Sequence, residues 1–149
     1  MKYTMLYLLI GIIAGASVPT QAGINAKLNI YTGSPVIASI ISFLAGSATL
    51  IIYGLVTRTP LPPMTAFSGA PWWIWIGGCL GAFYVASCIV IANKVGALSL
   101  VALILAGQMI ASLILDHFGL IGYKVQPISF LKIAGILLIV AGIYCIRIG

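Results

Sequence analysis

Long apolar runs, separated by short polar or proline-containing stretches, make up almost the whole chain. A helix needs about 20 apolar residues to cross the hydrocarbon core of a bilayer, and the chain divides into runs near this length. The pattern therefore predicts an all-α membrane protein with five transmembrane helices in a single domain over residues 1–149. The five predicted spans cover residues of about 3–28, 36–56, 72–92, 97–118 and 129–148.

The composition excludes a soluble domain. Apolar residues make up 62% of the chain and charged residues only 5%, with a mean hydropathy of +1.24. About a quarter of a soluble domain is charged, so this chain cannot build a water-exposed surface. The net charge of +6 comes from basic residues that stand singly between apolar runs. This spacing is typical of loop and interface charges, and no nucleic-acid binding is predicted.

Few side chains could support catalysis or bind a metal. His117 and Asp116 are the chain's one histidine and one acidic residue, so no metal ligand set, carboxylate pair or nucleophile–base pair can be assembled. Cys79, Cys88 and Cys145 lie inside apolar runs, which is typical of buried free thiols. The sequence predicts neither an enzyme nor a cofactor.

A polar stripe follows the first predicted span. Ser17, Gln21, Asn25 and Asn29 recur at every fourth residue, which places them along one side of a helix. Pro19 removes a backbone hydrogen bond within this span and is expected to bend it. An amide without a partner is costly in hydrocarbon, so the stripe should face protein, water or a ligand. The apolar amino-terminal run could also be a signal peptide, but its helical pattern continues beyond any cleavage point.

The fourth span carries a second stripe with the same spacing, formed by Gln108, Ser112 and Asp116. Gln108 lies near the middle of its span, and Tyr84 and Ser87 add polar groups to the third span. Two such stripes can line a cavity between helices. The same polar groups could instead hold the helices together, through contacts worth roughly 0.5–2 kcal/mol each. For Ser17 and Ser112 taken by themselves, this packing role is favoured. The predicted solute-binding residues are Ser17, Gln21, Asn25, Tyr84, Gln108 and Ser112.

Two charged residues at span ends are predicted to pair with opposite charges. Asp116 lies near the carboxyl end of its helix, where the helix dipole opposes an anion, so it needs a cationic partner. Lys124 and Lys132 lie on the same predicted membrane side, and Lys27 or Lys94 of an inverted second protomer would reach that side too. Lys27 alternatively extends its ammonium group to the membrane interface.

Small and aromatic residues predict where helices pack and where the membrane ends. Trp72, Trp73 and Trp75 begin the third span and predict an interfacial aromatic belt. Glycines in several spans leave room for a second helix to pack closely. They are Gly11 and Gly15 in the first span, Gly77, Gly78 and Gly81 in the third, and Gly135 and Gly142 in the fifth.

The basic residues give almost no preferred orientation. With five spans, Lys2, Arg58, Lys124 and Lys132 fall on one side, and Lys27, Lys94 and Arg147 on the other. Because a clear excess of basic residues normally marks the cytoplasmic side, this near balance predicts dual topology. Two oppositely inserted chains would form an antiparallel homodimer of ten helices, an inverted repeat of the kind that many transporters use.

Several motifs resemble the small YdcZ-like membrane proteins of the drug/metabolite transporter superfamily. They are the run PTQAGINAKL at 19–28, GSP at 33–35, SF at 42–43, PWW at 71–73, GQ at 107–108 and DHFG at 116–119. The resemblance covers nearly the whole chain and implies a transporter-like unit of five helices, used as a homodimer or as two fused copies. Small multidrug exporters of the same superfamily carry a membrane-embedded glutamate on the first helix, which this chain lacks.

The leading hypothesis is a small-solute transporter in the bacterial inner membrane. Its partners would be a second copy of the chain, the lipid bilayer and an unidentified small solute. The alternative is an accessory or scaffold membrane subunit that does not transport. A transporter should purify alone as a stable dimer with a water-accessible cavity, and this behaviour distinguishes the two.

Overall fold

The computed structural model of the chain describes the backbone of residues 2–148 and the side chains of residues 5–146 and 148. All elements in this range are helical, which confirms the predicted all-α class. Three stretches are long and apolar enough to cross a membrane, and a shorter apolar helix follows them. The α-helices are α1 (Lys2–Thr32), α2 (Pro35–Val56), α3 (Ile76–Phe118) and α4 (Phe130–Ile148), and short 3-10 helices occupy Met64–Phe67, Trp72–Trp75 and Leu120–Gly122.

A tight turn joins α1 to α2. Gly33 adopts a left-handed conformation with φ of 67°, which glycine reaches without steric cost. Ser34 then caps α2, and its side chain accepts a hydrogen bond from the backbone N–H of Ile37 at 3.4 Å. Pro35 occupies the first turn of the helix, where the missing N–H is not needed.

The third and fourth predicted spans lie within α3. Gly96 alone interrupts the helical backbone there, with φ of 78° and ψ of 169°. Residues 93–95, which lie between the two predicted spans, are therefore helical, and the break falls at Gly96. Asn93 remains helical and donates a side-chain hydrogen bond to the carbonyl oxygen of Ile89 at 3.2 Å.

The chain divides into two compact units. Unit 1 contains Met1–Pro19 and Val95–Gly149, and therefore α4 with the first part of α1 and the second part of α3. Unit 2 contains Thr20–Lys94, and therefore the rest of α1, all of α2 and the first part of α3. Pro19 does not interrupt the assigned helix α1, although one boundary between the units lies beside it.

Unit 2 is held together by a small core. Ala38 of α2 packs with Val85 and Ile89 of α3, and Leu28 and Tyr84 pack against these three. Most other large apolar side chains are exposed, and only 6–11% of the residues in the most apolar window of each candidate span are buried. Such a surface suits contact with lipid chains, which are as apolar as leucine.

Only one of the predicted glycine contacts is made by the described side chains. A Cβ atom on Gly81 would lie 3.5 Å from the Phe43 ring of α2. The other glycines predicted to pack have no described group within 4 Å of such an atom. They are Gly11, Gly15, Gly77, Gly78, Gly135 and Gly142.

Candidate functional site

One face of α1 in unit 2 combines small residues with buried amides. Ala22, Asn25, Ala26 and Asn29 repeat at intervals of three and four residues, so they share one side of the helix. Asn25 is only 4% exposed. The side-chain oxygen Oδ1 of Asn29 is buried and has no hydrogen-bond partner among the described residues. This face therefore carries two amides toward the interior, and one of them, Asn29, has an unsatisfied side-chain oxygen.

The polar stripe rotates gradually around α1. A helix turns about 100° per residue, so residues four apart are offset by about 40° at each step. Gln21 is accordingly exposed, Asn25 buried and Asn29 partly buried. A four-residue spacing therefore predicts which side chains share a helix face over only one or two turns. Asn29 belongs to the predicted stripe but was not among the predicted solute-binding residues.

Tyr84 brings a second unsatisfied group to the same unit. Its hydroxyl oxygen Oη is buried and has no hydrogen-bond partner within the described part of the chain. The Cys88 thiol lies beside it, one helical turn along, but sulfur hydrogen-bonds only weakly. Tyr84 and Leu28 contact the same core, and Asn25 and Asn29 flank Leu28 on α1. We call Asn25, Asn29 and Tyr84 the polar cluster.

The hydroxyls of Ser39 and Ser17 are already satisfied within their own helices. Ser39 is 6% exposed, and its hydroxyl donates to the carbonyl oxygen of Pro35 at 2.7 Å. Ser17 donates in the same way to the carbonyl oxygen of Ile13 at 2.9 Å, on an exposed part of α1. Both bonds lie within a single helix, so neither serine depends on a ligand.

The charges of unit 2 are all basic. Residues 20–94 contain Lys27, Arg58 and Lys94 and no acidic residue. Lys27 is exposed, and its ammonium nitrogen lies 6.0 Å from the centre of the exposed Tyr31 ring. This position matches an ammonium group that extends to the interface beside an aromatic residue.

The remaining predicted solute-binding residues on α3 belong to unit 1. Gln108 and Ser112 are both exposed, and Asp116 is partly buried. The predicted set is thus divided, with Ser17, Gln108 and Ser112 in unit 1 and Gln21, Asn25 and Tyr84 in unit 2. That these residues line one cavity stays a prediction.

The end of α3 anchors the loop that follows it. The backbone N–H of Gln126 donates to the carbonyl oxygen of Asp116 at 2.7 Å. The backbone N–H of Ile128 donates to Nδ1 of His117 at 3.2 Å. Gly119 has φ of 62° at the helix end, and a Cβ atom there would lie 2.6 Å from Val125. The DHFG segment therefore binds the loop directly.

The predicted charge partners do not meet among the described side chains of one protomer. Among the described side chains Asp116 forms no ion pair. The ammonium nitrogen of Lys132 instead contacts the carbonyl oxygens of Gln126 and Pro127 at 3.2 and 3.3 Å. Lys2 and Arg147 lie outside the described side chains. A cationic partner for Asp116 therefore remains a prediction about a second chain.

Unit 2 also contains an apolar cleft. It has a volume of about 460 Å³ and opens between α2 and the first part of α3. Its lining is almost wholly apolar, so it suits hydrocarbon rather than a polar solute. The lining residues are Val36, Ser39, Ile40, Phe43, Leu44, Ser47, Ala82, Phe83 and Ala86.

Comparison with known proteins places the chain in a family. The sequence profile of the family described as "Putative inner membrane exporter, YdcZ" matches residues 6–145. The chain is also similar to the inner membrane protein YdcZ of Escherichia coli (strain K12), with 35% identity over 79 residues. That match covers 53% of this chain and 52% of YdcZ, about half the length of the relative. No solved structure matches the chain. The profile match and the apolar helices together identify the chain as an integral inner-membrane protein that belongs to the YdcZ family.

Proposed function

We propose that this chain is one protomer of a small-solute transporter of the inner membrane, working as an antiparallel homodimer. The observation that carries the proposal is the polar cluster, which places two unpaired oxygen atoms among apolar membrane helices. Membrane helices that serve only as anchors have no need of such groups, because each unpaired group is costly away from water. The family's description as an exporter supports the same function.

The length of α3 supports five membrane crossings. The helix has 43 residues, about twice the number that one crossing requires. Gly96 interrupts its helical backbone near the middle. We therefore count residues 76–95 and 97–118 as two crossings, which with α1, α2 and α4 makes five. An odd number of crossings puts the two termini on opposite sides, as the antiparallel arrangement requires.

The proposed solute pathway combines the polar cluster with the second polar stripe. Gln21 and Gln108 would join Asn25, Asn29 and Tyr84 around a hydrated cavity near the midplane. Both amides are exposed in the protomer, and the proposal requires a second protomer to cover them from lipid. Uncovered glycines on α1 and α4 would provide surface for the second protomer.

The proposal is tested by removing the amides while keeping the volume of their side chains. Asn25→Leu and Gln108→Leu should leave the purified protein folded and dimeric but abolish solute binding and transport in proteoliposomes. Ser39→Ala is the matched control, because the Ser39 hydroxyl is bound within its own helix and should not be needed. Unchanged transport in both leucine variants would contradict the proposal. A protein that dimerises only with a different subunit and never transports alone would instead support the accessory-subunit alternative.

A further inference from the structure

The apolar cleft of unit 2 is part of a longer groove. A second cavity of about 430 Å³ adjoins it, and the two cavities share Val36, Phe83 and Ala86 in their linings. The second cavity begins at Pro35, the first residue of α2, and the cleft reaches Ser47. We call this continuous surface between α2 and the first part of α3 the groove. The second cavity adds Pro35, Ser87, Val90 and Ile91 to the lining residues of the cleft.

The groove extends from one end of α2 to near the middle of that helix. Pro35 and Ser47 both line it, and at 1.5 Å per residue they lie about 18 Å apart along the helix axis. The hydrocarbon core of a bilayer is about 30 Å thick, so one leaflet contributes about 15 Å. The groove therefore matches the length of the acyl chains in one leaflet.

The volume of the cleft suits a single acyl chain better than a second helix. A methylene group is about as large as a water molecule, which takes up roughly 30 Å³. The cleft, at about 460 Å³, therefore holds about 15 methylene groups. A helix about 10 Å across would need roughly 1,400 Å³ over a length of about 18 Å. The Ser39 hydroxyl in the lining is bound to the carbonyl oxygen of Pro35, so it requires no polar ligand.

A basic residue lies at the outer end of the groove. Val90 and Ile91 line this end together with Pro35. Lys94 follows them at intervals of four and three residues in the same helix, so it shares their side of α3 one turn further along. Lys94 is exposed, and residues 20–94 contain no acidic residue that could neutralise it. The outer end of the groove is therefore suited to an anionic headgroup.

We propose that the groove binds one acyl chain of an anionic phospholipid, whose headgroup phosphate lies beside Lys94. This inference goes beyond the proposed transport function and does not depend on it. One basic residue near the membrane surface favours an anionic lipid by roughly fivefold in affinity. A zwitterionic phospholipid with the same acyl chains fills the groove equally well but gains less from Lys94. The site should therefore prefer phosphatidylglycerol to phosphatidylethanolamine.

Two phospholipids with identical acyl chains test the headgroup preference. Native mass spectrometry of the purified protein in a mild detergent compares the affinities for phosphatidylglycerol and phosphatidylethanolamine. We expect phosphatidylglycerol to bind roughly threefold to fivefold more tightly, and Lys94→Gln to remove this difference. Arg58→Gln is the matched control, because Arg58 is an exposed basic residue of the same unit beyond the opposite end of α2. It should leave the preference unchanged.

A second pair of variants tests whether the acyl chain occupies the groove. Ala86→Leu adds a large side chain where the two cavities meet, so it should weaken the binding of both lipids at least about threefold. Ala82→Leu, at an exposed lining position, serves if Ala86→Leu does not fold. Ala45→Leu is the control, because Ala45 is exposed on α2 and lies outside the lining of both cavities.

The outcomes distinguish a lipid from other occupants. Equal affinities for the two lipids, or equal losses in Lys94→Gln and Arg58→Gln, would overturn the anionic headgroup. Unchanged lipid binding in Ala86→Leu together with weaker dimerisation would assign the groove to a second copy of the chain and overturn the proposal. A preference lost only in Lys94→Gln, with binding weakened only by leucine in the groove, supports it. Because no solute enters these measurements, their failure would leave the proposed transport function standing.

Discussion

An unpaired polar atom inside a protein costs about 1–3 kcal/mol relative to a paired one, and unit 2 holds two of them. Asn29 Oδ1 and Tyr84 Oη are both buried and unpartnered among the described residues. A protein under selection for stability alone would replace such groups by leucine and phenylalanine. Retaining them is explained if a solute completes their hydrogen bonds.

The cost of the unpaired oxygen predicts that Asn29→Leu raises the free energy of unfolding but abolishes solute binding. The substitution removes the unpaired oxygen and adds apolar surface, so the solute-free protein should gain roughly 0.5–2 kcal/mol in free energy of unfolding. Thermal unfolding in detergent, followed by fluorescence of the exposed Trp72, Trp73 and Trp75, measures the change. Ser39→Ala loses a satisfied hydroxyl and should not gain stability. A clear destabilisation by Asn29→Leu would show that the amide has a structural partner.

Gly81 provides a prediction about packing. A Cβ atom on Gly81 would lie in ordinary contact with the Phe43 ring, at 3.5 Å, so Gly81→Ala should be tolerated. Gly81→Leu would push the ring away and should cost about 1–3 kcal/mol of stability. Gly77→Leu is the matched control, because no described group lies within 4 Å of its Cβ position. Equal effects of the two leucine variants would contradict the observed α2–α3 contact.

Among the structural elements, the loop after α3 depends on one histidine. Nδ1 of His117 accepts a hydrogen bond from the backbone N–H of Ile128. His117→Asn keeps an acceptor close to that position, whereas His117→Phe removes it. We expect hydrogen exchange of residues 119–129 to be roughly threefold to tenfold faster in His117→Phe and nearly unchanged in His117→Asn. Identical exchange in the two variants would show that His117 does not hold the loop.

The helices could largely be predicted from the sequence, but their exact ends could not. Apolar runs predicted α1 and α2, and Ser34 and Pro35 at the start of α2 are residue types that mark helix starts. Residues 93–96 separate the third and fourth predicted spans; the helix continues through Asn93, which bonds back to Ile89, and the break falls at Gly96. Burial was harder to predict, because a stripe of period four drifts around a helix of 3.6 residues per turn. Membership in the YdcZ family was predicted from short motifs and is confirmed.

For the whole molecule, the near balance of basic residues predicts insertion in both orientations. A single cysteine at either terminus, in a background without native cysteines, should react with an impermeant reagent from both sides of the membrane. Adding a few lysines beside Lys2 should shift the population toward one orientation, because basic residues favour the cytoplasmic side. Labelling of a given terminus from one side only would contradict dual topology and the antiparallel dimer.

The central claim is that the buried amides face a pathway that opens to water, and cysteine reactivity tests it most directly. Asn25 is 4% exposed, whereas the neighbouring Ile24 is 64% exposed on a surface that suits lipid. A thiol in hydrocarbon stays protonated and unreactive. We therefore expect a small water-soluble thiol reagent to modify Asn25→Cys at least about tenfold faster than Ile24→Cys in membranes. An inert Asn25→Cys, or one that reacts no faster than Ile24→Cys, would contradict a solute pathway at this face of α1.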